Sequence, residues 1–376
     1  MKKAAALSLI FLSAMAIALI ISGKSFLLKA VWYYKPNIDD YKIFYNRQVP
    51  AGTDYEIPNA VAYNKKELPS TLSHTLSTTK TVAFLVIKND SVVQEHYWNG
   101  YTRNSYSGSF SVAKSIISAL VGIAIKEGKI KSVDEPVGNY LPDFKNGLAA
   151  QLTIKHLLMM SSGSSWDESY SSATSITTEG YYGFDIDKTM SGIKIVEQPG
   201  KVFNYKSGDT QLLGMLLKKA CGMNVADYAS EKLWKPLGAS KPALWSLDKE
   251  NGSEKCFCCF NSNARDFSRL GLLFLHKGNW RGRQIIDTSW VEESTRPNLL
   301  PDTDGGVTDY YGYQWWIAPN PEQFVFYARG ILGQYIIVVP EKNIVMVRLG
   351  EKRGEKTRNH TLVEVDDMIQ YAINNL

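Results

Sequence analysis

Strand-forming segments lie near both ends of this chain, and helix-forming segments lie between them. Near the start, "TVAFLVIKNDSVVQEHYWNG" contains two β-rich runs on either side of Asn89-Asp90, a pair typical of a hairpin turn. Near the end, "QFVFYARG", "GQYIIVVP" and "NIVMVRLG" are three short strands at hairpin spacing. This order predicts an α+β domain built from both ends of the chain, with a mainly helical part inserted between them. A cleft between the two parts is the expected place for a site.

The middle of the chain contains several helical patterns. "GSFSVAKSIISALVGIAIKEG" is a run of good helix formers that ends at Gly128. "TIKHLLMMSSG" predicts a short helix with Thr153 as its N-cap and Gly163 as its stop. "GDTQLLGMLLKKACG" and "VADYASEKLWKPLG" predict two more helices, and a final helix is expected over about 362–375. Residues 164–200 are rich in Ser, Tyr, Gly and Asp and are predicted to form a long loop.

The first 23 residues differ in character from the rest. Lys2 and Lys3 precede an apolar run over 4–21, which predicts an export signal, either a cleaved signal peptide or an uncleaved anchor. Because the run approaches the ~20 residues that span a bilayer and no A-x-A site follows it, we expect a signal anchor over 1–23. The rest of the chain would then lie outside the cytoplasm, attached to the membrane in the cell envelope. Residues 24–75 are expected to be a lead-in or linker.

Charge and motif spacing exclude several classes of protein. The net charge of +5 is spread along the chain, and no nucleic-acid motif accompanies it, so nucleic acid is not an expected partner. The chain has no H-E-x-x-H or EF-hand spacing, so neither a metal nor another cofactor is expected. Its four cysteines lack the paired spacing of a zinc site, and we expect buried thiols rather than a disulfide: Cys221, Cys256, Cys258 and Cys259.

Ser111 and Lys114 form an S-x-x-K pair at the start of a long apolar helix. The same spacing occurs at Ser77, Ser191 and Ser246, but only Ser111 opens such a helix directly after a β-hairpin. Residues three apart on a helix share one face, so the amine can reach the hydroxyl. A buried lysine loses hydration and its pKa falls, so that a neutral amine can accept the serine proton. The pair alone also fits an N-cap turn beside a snorkelling lysine.

Two later stretches complete a pattern with this pair. "VFNYKSGDTQLLGMLL" places Tyr205 and Ser207 just before an apolar helix, and "FYARGILGQYIIVVP" places Gly330 between two strands. In this order the three stretches resemble the motifs of the serine β-lactamase and penicillin-binding-protein superfamily. The resemblance is to its class C β-lactamase branch, and within it to the 6-aminohexanoate-dimer hydrolases and related esterases. It covers about residues 80 to 376 and includes "SVAKS", "DEPVGNYLPDF", "TIKHLLMMSSG", "NYKSGDTQLLG", "ARDFSRLG", "YGYQWW" and "RGILGQY".

The resemblance implies a β-lactamase/transpeptidase-like fold, in which an antiparallel sheet is flanked by helices. The hydrolase domain would span 76–376, with an α+β part at about 76–130 and 265–376 and a helical part at about 131–264. Ser111 would be the nucleophile, and Lys114 its base or electrostatic partner. Tyr205 would pass a proton to the leaving group. The backbone N–H groups of Ser111 and Ile331 would form the oxyanion hole. Whether Lys114 or Tyr205 takes the first proton stays open.

Two departures from the family motifs bear on the substrate. Ser207 stands where the second motif usually has Asn. Ala328-Arg329-Gly330 stands where β-lactamases have Lys-Thr-Gly, and the missing lysine is one that would bind a β-lactam carboxylate. Strand alternation is expected to turn Arg329 away from the cleft. These departures favour an esterase or amidase over a β-lactamase.

The remaining site predictions concern substrate contacts. Tyr170, in "WDESYSS", resembles a mobile tyrosine that closes over substrate, although a plain loop tyrosine fits equally well. One of the adjacent pair Trp315 and Trp316 is expected to line the cleft. The other predicted substrate contacts are Trp315, Ser207 and Gly330. His156 lies within an apolar helix and is expected to be structural rather than a member of a Ser-His-Asp triad.

Three hypotheses follow for the activity. The first is a serine hydrolase that forms an acyl-enzyme from a small amide or ester. The second is a β-lactamase or DD-peptidase, which the altered Lys-Thr-Gly position argues against. The third is a penicillin-binding sensor or scaffold without turnover, which the presence of Ser111, Lys114 and Tyr205 argues against.

Overall fold

The structure is a computed structural model that describes residues 13–318, 320, 323–357 and 361–376. The strands in this part of the chain are β1 (Asn46–Val49), β2 (Thr81–Lys88), β3 (Ser91–Tyr97), β4 (Ser107–Gly108), β5 (Ala243–Ser246), β6 (Phe260–Ser262), β7 (Asn279–Trp280), β8 (Arg283–Gln284), β9 (Trp316–Ala318), β10 (Val325–Gly330), β11 (Gln334–Val339) and β12 (Ile344–Gly350). The main helices after residue 25 are α1 (Phe26–Tyr33), α2 (Ser70–Thr78), α3 (Val112–Lys126), α4 (Ile154–Leu158), α5 (Ile176–Tyr182), α6 (Ile186–Ser191), α7 (Ser207–Cys221), α8 (Val225–Ala229), α9 (Ala264–Leu275), α10 (Thr288–Ser294) and α11 (Val363–Asn375).

The larger sheet joins the two ends of the domain. Its antiparallel strands follow the order β3-β2-β12-β11-β10-β9, and the ends meet where β12 pairs with β2. Side chains alternate across this sheet: Leu85 faces the core shared with α3 and α9, whereas Phe84 faces the core shared with α2 and α11. Helices therefore cover both faces of an antiparallel sheet. This arrangement confirms the predicted α+β fold.

Local sequence signals predicted several of these elements. Asn89 and Asp90 adopt φ of 48° and 60°, which makes the tight turn between β2 and β3. Gly128 follows α3 with φ of 70°. Thr153 caps α4, since its hydroxyl accepts from the N–H of His156 while the imidazole accepts from the N–H of Thr153. His156 is thus a capping residue, which confirms that it is structural.

A smaller sheet places the lead-in segment inside the domain. Its strand order is β1-β5-β6-β4, so that residues 46–49 pair with 243–246. β4 pairs with β6 immediately before Ser111. Phe26 and Ala30 of α1 are buried as well. Residues 24–75 are therefore packed against the hydrolase region, while the proposed division into an α+β part and a helical part stays a prediction.

The segment over 164–200 is not one long loop. It contains α5 and α6, each of which begins at a polar cap. The hydroxyl of Ser175 accepts from the N–H of Thr178, and the carboxylate of Asp185 accepts from the N–H of Lys188. Short polar helices of this kind depend on their caps more than on apolar periodicity. The composition of the segment therefore did not predict them.

The expected membrane attachment is corrected by the structure. Among the described residues, no helix combines the length and the apolar character that crossing a bilayer requires. The predicted anchor over 1–23 therefore has no spanning helix in its described portion, and residues 1–12 of that prediction lie outside the described residues.

Candidate active site

Ser111 lies at a sharp turn between the smaller sheet and α3. Phe110, just before it, has φ of 46°, in the left-handed region that few non-glycine residues adopt. Ser111 is the N-cap of α3, yet its side chain does not cap the helix. The hydroxyl is instead available to the side chains that surround it. A strained turn that presents a serine at a helix N-terminus suits a reactive group.

Lys114 connects Ser111 to two other elements. Its ammonium donates to the hydroxyl of Ser111 at 3.1 Å, to the hydroxyl of Ser207 at 3.1 Å and to the carbonyl of Phe257 at 2.8 Å. The side chain is fully buried. Burial lowers the pKa of Lys114 to about 8, against an opposing effect of the Glu168 and Asp209 carboxylates. The amine can therefore lose its proton near neutral pH.

Glu168 was not found by the sequence reasoning, although it lies two residues from Tyr170. Its carboxylate accepts from the N–H and the hydroxyl of Ser207, both at 2.6 Å, and from the indole of Trp166 at 2.8 Å. The hydroxyl of Tyr170 also donates to it. Nothing in the polar loop "WDESY" distinguishes this carboxylate from its acidic neighbours. Only the folded chain brings it to the first turn of α7.

These contacts determine how a neutral Lys114 can be oriented. The carbonyl of Phe257 can only accept, and the hydroxyl of Ser207 already donates its hydrogen bond to Glu168. A neutral amine has two N–H bonds for these two acceptors and one lone pair. The remaining partner is the hydroxyl of Ser111, which can donate. The arrangement thus directs the lone pair of Lys114 toward Ser111.

Tyr205 lies on the other side of this pair. Its ring packs against those of Tyr311 and Trp316, at centroid distances of 6.0 Å and 5.5 Å, and the ammonium of Lys114 lies 5.3 Å from its centroid. Burial and the charge of Glu168 raise the pKa of Tyr205, while a hydrogen bond with Ser111 and the charge of Arg329 act in the opposite direction. The phenol is therefore neutral at physiological pH. It can hold and deliver a proton.

Gly330 lies at the end of β10, against the turn that precedes Ser111. A Cβ atom here would lie 2.3 Å from the carbonyl oxygen of Ser109 and 3.2 Å from the Cβ of Phe110. Only glycine permits this approach, and it brings the following residue, Ile331, to the same cavity as Ser111.

The structure corrects the choice between the two tryptophans. Trp315 is fully buried and packs against Phe274 and Phe326, with ring centroids 4.4 Å and 5.3 Å away. It belongs to the core between the larger sheet and α9, and it does not line the cavity. Trp316 is the tryptophan that contacts Tyr205. Adjacent strand residues face opposite sides, and the sequence did not reveal which side carried the site.

Arg329 also differs from the expectation. Its guanidinium lies 3.4 Å from the ring centroid of Trp316, on the side of the sheet that carries Tyr205. Ala328 is the residue that faces the core, where it is fully buried. The positive charge therefore lies near the site rather than away from it.

A cavity of about 360 Å³ opens beside Ser111. Ser207, Ile331 and Tyr170 also line it, so four of the eight predicted site residues share this cavity. Tyr170 is 55% exposed, on a loop at the edge of the cavity. Lys114 and Gly330 lie behind Ser111 and Ile331, within hydrogen-bonding or packing distance of the serine turn.

One wall of the cavity contains a disulfide bond, although free thiols were expected. Cys258 and Cys259 form a disulfide between adjacent residues, whereas Cys221 and Cys256 are buried free thiols. Cys258 lines the cavity directly after Phe257, whose carbonyl accepts from Lys114. The expectation of four buried thiols was therefore wrong for this pair.

Comparison with known proteins agrees with the fold. The sequence model of the Beta-lactamase family matches residues 72–366. The chain belongs to the Beta-lactamase family.

The chain is similar to several particular proteins. The chain is 27% identical over 312 residues to the 6-aminohexanoate-dimer hydrolase of Paenarthrobacter ureafaciens, covering 77% of each chain. Among solved structures, it is similar to a candidate 6-aminohexanoate-dimer hydrolase of Bacillus anthracis, with a TM-score of 0.72, 22% identity and coverage of 90% and 91%. It is also similar to a family VIII carboxylesterase, with a TM-score of 0.64, 15% identity and coverage of 85% and 99%. The two structural likenesses concern the fold.

Proposed function

We propose that this protein is a serine hydrolase that cleaves a small amide or ester through an acyl-enzyme on Ser111. The observation that carries the proposal is the buried Lys114 amine, 3.1 Å from the Ser111 hydroxyl, with its pKa lowered to about 8. Such a pKa leaves roughly a tenth of the amine neutral at pH 7. That fraction has its lone pair directed at the serine.

The reaction follows from these positions. The neutral amine of Lys114, or Tyr205 in concert with it, accepts the proton as the Ser111 oxygen attacks the carbonyl carbon. The tetrahedral oxyanion receives hydrogen bonds from the N–H groups of Ser111 and Ile331, each worth about 3 kcal/mol to the transition state. Tyr205 then protonates the departing alcohol or amine, and the proton held by Lys114 restores the phenol. Water, deprotonated by the same groups, next attacks the acyl ester on Ser111, which releases the carboxylic acid and returns the proton to the serine oxygen.

The two N–H groups are suited to this role. Within the described part of the chain, neither the N–H of Ser111 nor that of Ile331 donates to another backbone or side-chain acceptor. Both residues line the cavity. Both residues are partly exposed at the cavity, so their N–H groups are available to a bound oxyanion, which supports an oxyanion hole.

The relatives support the choice of bond. The Paenarthrobacter relative is named a 6-aminohexanoate-dimer hydrolase, and a structural neighbour is named a carboxylesterase. An amide and an ester pass through the same tetrahedral intermediate, so one site can serve both.

A β-lactamase or DD-peptidase is the second candidate, and one observation favours it. The guanidinium of Arg329 lies on the Tyr205 side of the sheet, where it can attract a substrate carboxylate. Its stacking on Trp316 counts against this role, because the planar group is already engaged. We therefore rank hydrolysis of an uncharged ester or amide first.

The deciding experiment uses Ser111→Ala, with Ser77→Ala as the matched control in another S-x-x-K pair. We expect Ser111→Ala to lower kcat/KM for p-nitrophenyl butyrate by about 10⁴-fold or more and to lose labelling by a fluorophosphonate probe. Ser77→Ala should keep both. A Ser111→Ala protein with near wild-type rate and labelling would contradict the proposal.

Penicillin labelling followed by mass spectrometry separates the alternatives. A hydrolase should show a transient acyl adduct on Ser111 or turnover of the ester without a stable adduct. A stable penicillin adduct without ester turnover would favour a peptidase or sensor. Absence of labelling by both probes would favour a scaffold and overturn the proposal.

A further inference from the structure

The cavity beside Ser111 has a wall that comes from the lead-in segment. Ala30 and Val31 on α1, and Tyr34 just after it, line the same space as Ser111 and Ile331. The sequence predicted only a lead-in or linker over 24–75. In the structure it is part of the substrate cavity.

Packing fixes this wall in position. Phe26 and Ala30 are buried, with 5% and 8% of their surface exposed. The ring of Tyr33 stacks on that of Tyr182 at the end of α5, with centroids 6.4 Å apart. α1 and α5 thus form one unit over the cavity, and its shape does not depend on a free-moving linker.

The lining is mainly apolar and carries no charged side chain among the described residues. The polar groups that line the cavity are mostly hydroxyls of Ser, Thr and Tyr. Phe110, Phe257 and Ile331 provide apolar surface close to Ser111. A charged group placed here would lose its hydration without a partner, whereas an alkyl chain would gain by leaving water.

The cavity also lies on a definite side of the bond to be cleaved. Tyr205, which delivers the proton to the leaving group in the proposed function, is not among the residues that line it. Tyr205 packs against Tyr311 and Trp316 instead. Because the leaving group is assigned to the neighbourhood of Tyr205, the cavity beside Ser111 is the space left for the acyl part of a substrate.

We propose that the space between α1 and α5 binds the apolar acyl chain of a neutral, medium-chain ester or amide. This inference rests on the proposed function and names the substrate class of the same site. Ala30 and Val31 are the specificity-determining residues that it assigns.

A series of p-nitrophenyl esters tests the acyl chain while the leaving group stays constant. We expect kcat/KM to rise by about tenfold or more from acetate to hexanoate, since each buried methylene adds to binding in the transition state. Failure to hydrolyse any ester would contradict the proposed function. Hydrolysis with a flat or falling dependence on chain length would contradict the acyl cavity alone.

Two pairs of variants locate the effect on α1. Ala30→Trp fills the cavity and should lower the hexanoate-to-acetate ratio of kcat/KM by about tenfold. Leu28→Trp places the same side chain on the same helix outside the cavity and should leave the ratio unchanged. Equal ratios in the two variants would contradict the proposal.

A second pair avoids the risk that Ala30→Trp disturbs folding. Val31 and Trp32 are 75% and 82% exposed, and only Val31 lines the cavity. Val31→Asp should lower the hexanoate-to-acetate ratio severalfold, because it places a charge beside the alkyl chain. Trp32→Asp should not change it. An equal effect of both substitutions would overturn the assignment.

Discussion

Ser207 donates two hydrogen bonds to Glu168, one from its N–H and one from its hydroxyl, and each is 2.6 Å long. Because the hydroxyl proton is engaged, the oxygen of Ser207 presents a lone pair to Lys114, 3.1 Å away. Glu168 thereby turns Lys114 toward Ser111 without touching the serine. Its negative charge also opposes the burial that lowers the pKa of Lys114.

Glu168→Gln should test this positioning role. Removing the negative charge removes an effect that raises the pKa of Lys114, so the ascending limb of the pH–rate profile should move to lower pH. The amide can accept only one of the two bonds from Ser207, and kcat/KM should fall by about 10- to 100-fold. Steady-state kinetics on p-nitrophenyl butyrate across pH measure both effects.

Glu168→Asp is the matched control for that substitution, since it keeps the charge. The ascending limb of its pH–rate profile should stay at nearly the same pH as in the wild type, even if the rate itself falls. A Glu168→Gln profile with an unmoved limb would show that the carboxylate acts on local structure only.

The pKa of Lys114 sets the pH dependence of the wild type. Its pKa is lowered to about 8, so the amine is protonated below that pH and neutral above it. Only the neutral form accepts the proton of Ser111, and kcat/KM should therefore rise with pH and level off above about pH 8. A profile from about pH 6 to about pH 10 measures the limb. A rate that falls through this range would contradict Lys114 as the base.

Gly330→Ala should damage the oxyanion hole while it leaves the sheet paired. The new Cβ would lie 2.3 Å from the Ser109 carbonyl, so the end of β10 must move and carry Ile331 with it. Loss of one oxyanion donor costs about 100-fold or more in kcat. Gly192→Ala is the control, because its nearest contact is an ordinary 3.4 Å. Equal activity of the two variants would contradict the placement of Ile331.

Arg329→Gln addresses the choice between ester and β-lactam. In the wild type we expect p-nitrophenyl butyrate to be hydrolysed at least about tenfold faster, as kcat/KM, than a chromogenic cephalosporin. Arg329→Gln should then lower the cephalosporin rate more than the ester rate, since it removes the positive charge near Tyr205. Arg329→Lys should retain most of the cephalosporin rate. A wild type that prefers the cephalosporin would contradict the ranking of ester or amide hydrolysis above β-lactam hydrolysis.

Local chemistry made much of the fold predictable. The Asn89-Asp90 turn, the end of α3 at Gly128 and the Thr153 cap each depend on residues close together in the chain. The spacing of Ser111 and Lys114 likewise places both on one helix face, and the structure brings them within 3.1 Å. Short helices in polar segments were missed because their caps outweigh their weak periodicity.

The sequence by itself determined the elements and the pairs that lie within one helix or one hairpin, because φ, ψ preferences and side-chain spacing act over a few residues. Only the tertiary structure decided which of Trp315 and Trp316 joins Tyr205, since either face of a strand can carry the site. It also decided that Glu168 meets Ser207, 39 residues away. It placed α1, from a segment without a clear pattern, against the cavity. Contacts between distant segments are set by how the whole core packs, and no short stretch of the chain contains that information.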